Sequence, residues 1–375
     1  MNSSTPETPE DDAPEDAPPT PPPWRRWRRE LRWGGAIFCA WLLCWLWGYA
    51  IGVGPHRYPA ELVVDIPPSV GFLGVEKVLI EKGVIADDFR FRILARVLGL
   101  GHRLKAGEYL FKAGTSPLGV LQALVAGLVL RHPLTVVEGA NLFQIAELLA
   151  SEGWGTGAEF LALAQDANFI AELGLNGESL EGYLFPDTYY LKKGQPLKAI
   201  IRMMVLRWRE EMGRLALDPG QGNEQRFGIV LPGEGKEERV TLSLHELLTL
   251  ASIVEKETAV GEERPLIARV FYNRLQSKMR LQTDPTVNYG LRQFNLPLTR
   301  VDLATVTPYN TYLIPALPPG PICNPGRAAV AAVLRPAAES YYYFVAQGDG
   351  SHFFSKTLAE HNQAVSRYRA WQRGG

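Results

Sequence analysis

The 375-residue sequence predicts an α+β chain behind one membrane-crossing helix. Three features carry that expectation. Every charge disappears between Trp33 and Val53; short apolar stretches alternate with helical patterns from Glu61 to about Trp154; and longer helical periodicity, broken by Gly- and Pro-rich segments, fills the rest. The expected layout is a tail over 1–32, a membrane helix over 33–53, a small strand–helix subdomain over 57–138 and a larger mixed domain over 139–371.

Residues 1–23 are acidic and proline-rich, with no Lys or Arg, and so cannot bury enough apolar surface to fold. Arg25, Arg26, Arg28, Arg29 and Arg32 follow, immediately before the apolar run. At about 1.5 Å per residue that run is about as long as the hydrocarbon core is thick. Trp33, Trp47 and Tyr49 near its ends suit interfacial anchoring. The arginines precede the run, so the positive-inside rule puts the tail in the cytoplasm and everything after Val53 outside it. A cleavable signal peptide, with Ala50-Ile51-Gly52 as the cleavage site, is the alternative. The spanning length of the run and the long segment before it favour a retained anchor in the cytoplasmic (inner) membrane.

With 39 Lys plus Arg against 40 Asp plus Glu, the net charge of −1 gives no general attraction to nucleic acid, and no nucleic-acid partner is expected. Cys39 and Cys44 fall in the apolar run and leave Cys323 alone outside, so no disulfide framework is available. No metal is expected either, because His245-Glu246 lacks a second His four residues on and the other histidines show no ligand spacing. Gly233-Glu234-Gly235-Lys236 fails as a phosphate loop, since Val230 stands where the first Gly belongs and Glu237 where Ser or Thr does.

Between Glu61 and Trp154 one pattern recurs three times. Strands at 62–66, 107–111 and 134–137 are followed by helices after Ser69, Ser116 and Asn141. Such units either bind carbohydrate or pack against the larger domain. Ser116-Pro117 reads as N-cap and first turn, and Asn141 caps the third helix. Further helices are predicted over 160–173 and 197–212, with an aromatic surface loop over 180–190 between them and a mobile loop over 218–239.

The helix predicted over 244–259 carries Glu255-Lys256-Glu257. Three, four and seven residues before Glu257 stand Val254, Ile253 and Leu250, so Glu257 prolongs the most apolar stripe while Glu255 lies on a less apolar face. Desolvation there, together with the negative end of the helix, raises a carboxyl pKa, as a general acid near neutral pH requires. A second helix follows from Glu262 to Lys278. Polar segments then come at Met279–Thr286, Thr307–Tyr312 and Leu317–Pro321, whose amides, hydroxyls and aromatics on proline-stiffened loops suit a sugar groove.

Several blocks together carry a resemblance: Glu181-Gly182-Tyr183-Leu184-Phe185-Pro186-Asp187-Thr188-Tyr189, Ala251-Ser252-Ile253-Val254-Glu255-Lys256-Glu257-Thr258, Arg280-Leu281-Gln282-Thr283-Asp284-Pro285-Thr286-Val287, Tyr309-Asn310-Thr311-Tyr312, Leu317-Pro318-Pro319-Gly320, Tyr343-Phe344-Val345-Ala346 and His361-Asn362. In these the chain, over residues 60–371, resembles the membrane-anchored endolytic murein transglycosylases, the MltG or YceG-like family. The resemblance implies a LysM-like subdomain after the membrane helix, a larger catalytic domain and a catalytic Glu at the second acidic position of the Glu-Lys-Glu block, Glu257. It also implies peptidoglycan glycan strands as substrate, a peptidoglycan synthase of the penicillin-binding-protein type as partner, and no cofactor.

The implied reaction cuts the bond between N-acetylmuramic acid and N-acetylglucosamine without water, leaving a 1,6-anhydro end and limiting strand length. Gln282, Tyr309 and Asn310 are the candidates for holding the sugar. Thr283 and Thr311 lie beside them, and Asp284 and Glu181 are in supporting positions. Two alternatives stand beside this reading: a hydrolytic muramidase with Asp284 or Glu181 as second carboxylate, and a non-catalytic membrane-tethered glycan-binding scaffold.

Overall fold

The computed structural model describes residues 23–52, 60–217, 225–232, 238–294 and 296–374. It divides into two compact units, Met1–Leu130 and Arg131–Gly375. Of the tail predicted over 1–32, residues 1–22 lie outside the described residues, and 23–32 are the first part of a helix that runs on into the apolar segment.

In the first unit, helix α1 (Pro23–Ile51) contains a segment, Arg32–Ile51, long and apolar enough to cross a membrane. Trp33, Ile37, Phe38, Trp41, Leu43 and Trp47 are each at least 60% exposed on it, which suits hydrocarbon rather than water. Strand β1 (Glu61–Ile66) pairs antiparallel with β2 (Gly107–Lys112), and α2 (Phe72–Glu81) and α3 (Arg90–Val97) lie between them in sequence. Strand alternation points Val64 and Ile66 inward onto Val75, Leu79, Phe91 and Tyr109. α4 (Pro117–Ala126) begins where the sequence predicts, with the Ser116 side chain accepting from the Gly119 N–H and Pro117 in the first turn.

The third strand–helix stretch is not a further copy of this unit. β3 (His132–Thr135) pairs with β4 (Thr188–Leu191), so it belongs to the second unit, followed by α5 (Leu142–Ser151) under an Asn141–Gln144 capping box. The helix predicted over 160–173 is two helices, α6 (Gly157–Ala164) and α7 (Ala167–Glu172). The break falls at Asp166, whose carboxylate accepts from the Asn168 N–H and starts α7. α8 (Leu197–Arg214) matches expectation.

The predicted mobile loop over 218–239 is partly an antiparallel pair, β5 (Arg226–Leu231) with β6 (Glu238–Ser243); residues 218–224 and 233–237 lie outside the described ones. Ile229, Leu231 and Leu242 supply the buried face that holds the pair down, against a composition that reads as loop.

α9 (Leu244–Glu257) is the centre of the unit, packed against α10 (Arg264–Gln276), α11 (Asp284–Leu291) and α13 (Arg327–Leu334); the short α12 (Arg300–Ala304) follows α11. Ser243 opens α9 with a capping box to Glu246. Every residue of α9 from Leu247 to Val254 is buried, Ser252 and Thr249 included, so the expected stripe is a helix buried on all faces. β7 (Tyr343–Ala346) and β8 (His352–Ser355) form a hairpin against which α14 (Leu358–Gly374) packs.

Candidate active site

Burial of α9 on every face means that the surroundings of its last turn, rather than a stripe, distinguish the two carboxylates. The side chain of Glu255 is 5% exposed and fully engaged: Oε1 accepts from Arg264 Nη2 at 2.9 Å and Oε2 from the Gly326 N–H at 2.9 Å. The less apolar face expected for Glu255 is thus one that supplies it with a cation and a backbone donor. Glu257 ends the helix, half-buried, and no described residue donates a hydrogen bond to its carboxyl. Desolvation, and then the negative charge of Asp284, push its pKa up to about 8, against the opposing pull of Arg274. The other buried carboxylates of this unit are occupied. Glu211 is met by Arg207, Arg214 and Arg327, and Glu263 by Thr258 and His352.

Three chain segments surround Glu257. Thr258, the next residue, is fixed because its hydroxyl donates to Glu263 Oε2 at 3.0 Å. Asp284 opens α11 exposed, and its Oδ1 accepts from the Tyr312 hydroxyl at 2.7 Å. Arg274, on α10, donates from Nε to the Tyr342 carbonyl at 2.7 Å and from Nη1 to the Leu281 carbonyl at 2.6 Å, with its Cζ 5.4 Å from the centre of the Tyr343 ring. It thus ties the segment before α11 to the hairpin while setting a cation near Glu257. Sequence reasoning missed Arg274, because its only signal was a basic residue on a predicted helix.

The sugar-holding candidates divide by burial. Gln282 and Asp284 are exposed and Tyr309 is half-buried. Gln282 has φ 52°, a left-handed conformation costing about 1–2 kcal/mol in a non-glycine residue. Its N–H donates to the Thr311 carbonyl at 3.2 Å, which holds that conformation. Thr283, Asn310 and Thr311 are instead interior. The Asn310 amide donates to the Leu303 and Thr305 carbonyls and accepts from the Tyr312 N–H, while the Thr311 hydroxyl accepts from the Thr283 N–H and pairs with Thr286. The Thr311 hydroxyl thus joins the two loops, through the Thr283 N–H and Thr286, while the Asn310 amide braces its own loop.

Glu181 forms a second, separate centre. It is 2% exposed and accepts from the Leu142 N–H, the Tyr289 hydroxyl and Asn324 Nδ2, yet burial still pushes its pKa up to about 8. The segment after it, Gly182–Pro186, is buried, which corrects the expected surface loop. Gly182 has φ 87°, and a Cβ there would lie 2.5 Å from Pro321, so the two loops close on each other only with glycine at this position. Beside this centre Tyr289 packs on Tyr309 at 4.8 Å, and Phe143 on Phe294 at 5.6 Å. Of these rings only Tyr309 was a sequence candidate.

A carboxyl with no described hydrogen-bond donor, its pKa raised by burial, beside the exposed carboxylate of Asp284 and the half-buried ring of Tyr312, is an arrangement that suits a general acid. The family model of the YceG-like family matches residues 64–367, and the chain belongs to that family. It is 32% identical to the endolytic murein transglycosylase of Bacillus subtilis strain 168, over 81% of this chain and 84% of that one. The endolytic murein transglycosylase of Streptococcus pneumoniae D39 is 28% identical, and the match covers 82% of this chain and 58% of that longer protein. A crystal structure of a YceG-like protein from Listeria monocytogenes aligns with TM-score 0.50 at 32% identity, covering 81% of this chain and 98% of that one.

Proposed function

We propose that this chain is a membrane-anchored endolytic lytic transglycosylase of peptidoglycan, with Glu257 as both acid and base. The observation that carries the reading is the free, proton-retaining carboxyl of Glu257 at the end of a buried helix whose other terminal carboxylate is fully bonded. The names of the relatives support the substrate. Glu257 gives its proton to the oxygen bridging N-acetylmuramic acid and N-acetylglucosamine as the bond from that oxygen to C1 breaks. The C6 hydroxyl of the same muramic acid then attacks C1, and its proton returns to Glu257. The cycle closes with the carboxyl protonated and no water consumed, so no second carboxylate is needed to activate one. Burial first, and the charge of Asp284 second, keep the acid protonated, and Asp284 places negative charge where positive charge develops on the sugar ring. Gln282 and Tyr309 contact the sugar, while the Thr283 N–H, Asn310 and Thr311 hold the loop that carries Gln282, and Glu181 fixes Tyr289, on which Tyr309 packs.

The sign of the pH dependence follows directly. The acid must be protonated, so kcat/KM is expected to be flat below a pKa of about 8 and to fall about tenfold per pH unit above it. A limb falling instead near pH 4 to 5 would show an ordinary carboxylate and remove Glu257 from this role.

The remaining assignments rest on the sequence. α1 anchors the chain in the inner membrane with its N-terminus in the cytoplasm, supported by the arginines before Trp33. Of the segment expected over 57–138, the part up to Leu130 forms a LysM-like glycan-binding subdomain, supported by a two-stranded sheet packed with short helices, and the part from Arg131, whose β3 pairs with β4, joins the catalytic domain that runs to 371. A penicillin-binding-protein-type synthase is the partner class. A reporter active only outside the cytoplasm, fused after Gly375, is expected to be active, and a silent one reverses the topology. Crosslinking of the full chain in membranes that captures no synthase removes the partner.

A further inference from the structure

The wall beside Glu257 continues along the C-terminal helix. Tyr343, under the Arg274 guanidinium, also stacks on His361 of α14 with ring centroids 5.2 Å apart. From His361, residues at spacings of three and four place Ala364, Tyr368 and Trp371 on one face of α14. That face therefore runs about 15 Å away from the Arg274–Tyr343 junction.

At its far end it borders a concavity of about 360 Å³ between α14 and the β7–β8 hairpin, with Gln347, Phe353, Arg367, Tyr368 and Trp371 in its lining. Trp371 is 56% exposed, yet its indole is held. The ring stacks on Tyr368 at 5.9 Å and 19°, and its edge rests on Gly348, where φ is 97° and a Cβ would come within 2.5 Å of the ring carbons. Arg367 lies over the Phe353 ring at 5.0 Å, which keeps a cation at the rim.

We propose that this concavity is a second glycan subsite, holding the polymer several sugars away from the bond cut at Glu257. The proposal rests on the reading of Glu257 as glycan-cleaving. A pre-positioned aromatic plate presents an apolar face to the C–H face of a pyranose ring. The Gln347 amide suits N-acetyl and hydroxyl groups, and Arg367 suits the carboxylates carried by muramic acid and its stem peptides. The subsite continues the wall of the Glu257 centre, and a strand cut internally extends beyond that centre.

The test uses the full-length protein with Tyr368 and Trp371 both changed to Ala, and separately Trp371→Phe. Uncrosslinked glycan strands are titrated onto these changes in a Glu257→Gln background, and turnover of long strands and of a tetrasaccharide is measured with Glu257 intact. The double change is expected to weaken strand binding by about tenfold, the usual loss when an aromatic anchor is truncated, and to lower kcat/KM equally on long strands. Tetrasaccharide turnover and the melting temperature stay unchanged, and Trp371→Phe retains most of the affinity. Unchanged strand binding in the double variant, or equal loss on tetrasaccharide and long strands, overturns the subsite. If the parent chain cleaves neither substrate, the reading of Glu257 fails, and strand binding still decides the subsite by itself.

Discussion

Replacing Glu257 by Gln is expected to lower glycan cleavage by at least two to four orders of magnitude, roughly the contribution of general acid catalysis, and more because the same group returns the proton. The fold should survive, because the carboxyl has no described hydrogen-bond partner to lose and the amide is nearly isosteric. Stability adds a constraint with a definite sign. The folded-state pKa of Glu257 is raised from 4.5 to about 8 by burial and by Asp284. The folded state therefore holds a proton that the unfolded chain releases above its own pKa, and this contribution is lost as pH rises through the window from 4.5 to about 8. The Gln variant has no such proton. Its melting temperature relative to the parent should rise between pH 5 and pH 9, and a falling difference would show that the native site prefers the anion.

Glu255→Ala is expected to have the opposite profile. It leaves Arg264, whose side chain is 13% exposed, without its buried partner, and removes the acceptor of the Gly326 N–H. Breaking one side of a buried ion pair costs on the order of 3 kcal/mol or more. Thermal unfolding should reveal a large loss, with activity falling only as far as the folded fraction falls. Glu255→Gln keeps one acceptor and should sit between. An Ala variant that melts like the parent but has lost turnover would give Glu255 a chemical role.

How far the sequence reached depended on how local each determinant is. Capping at Ser116 and Asn141 was readable because each cap and its partner lie within three residues. The helix carrying Glu255 and Glu257 was readable from its apolar run, and the two were separated there by stripe, but the partners that separate them in the fold were not readable, because Gly326, which engages Glu255, lies 71 residues away. The same reason hid the burial of Gly182–Pro186. Asn324 Oδ1 accepts from the Gly182 and Leu184 N–H groups across 142 and 140 residues, giving an apparent surface loop its interior partners. Asn310 and Thr311 looked like sugar ligands because amides and hydroxyls suit both sugars and backbone, and only the fold shows which they meet. The β5–β6 pair was concealed by a loop-like composition whose few apolar residues happen to alternate.

The most direct test of the central claim is the mass of the ends released from purified, uncrosslinked glycan strands by the full-length chain. Transfer of C1 to the C6 hydroxyl of the same sugar leaves 1,6-anhydro-N-acetylmuramic acid ends, one water lighter than hydrolysed ends. The account predicts anhydro ends that appear from internal cuts and vanish with Glu257→Gln. Hydrated ends would contradict it and require a carboxylate such as Asp284 to activate water.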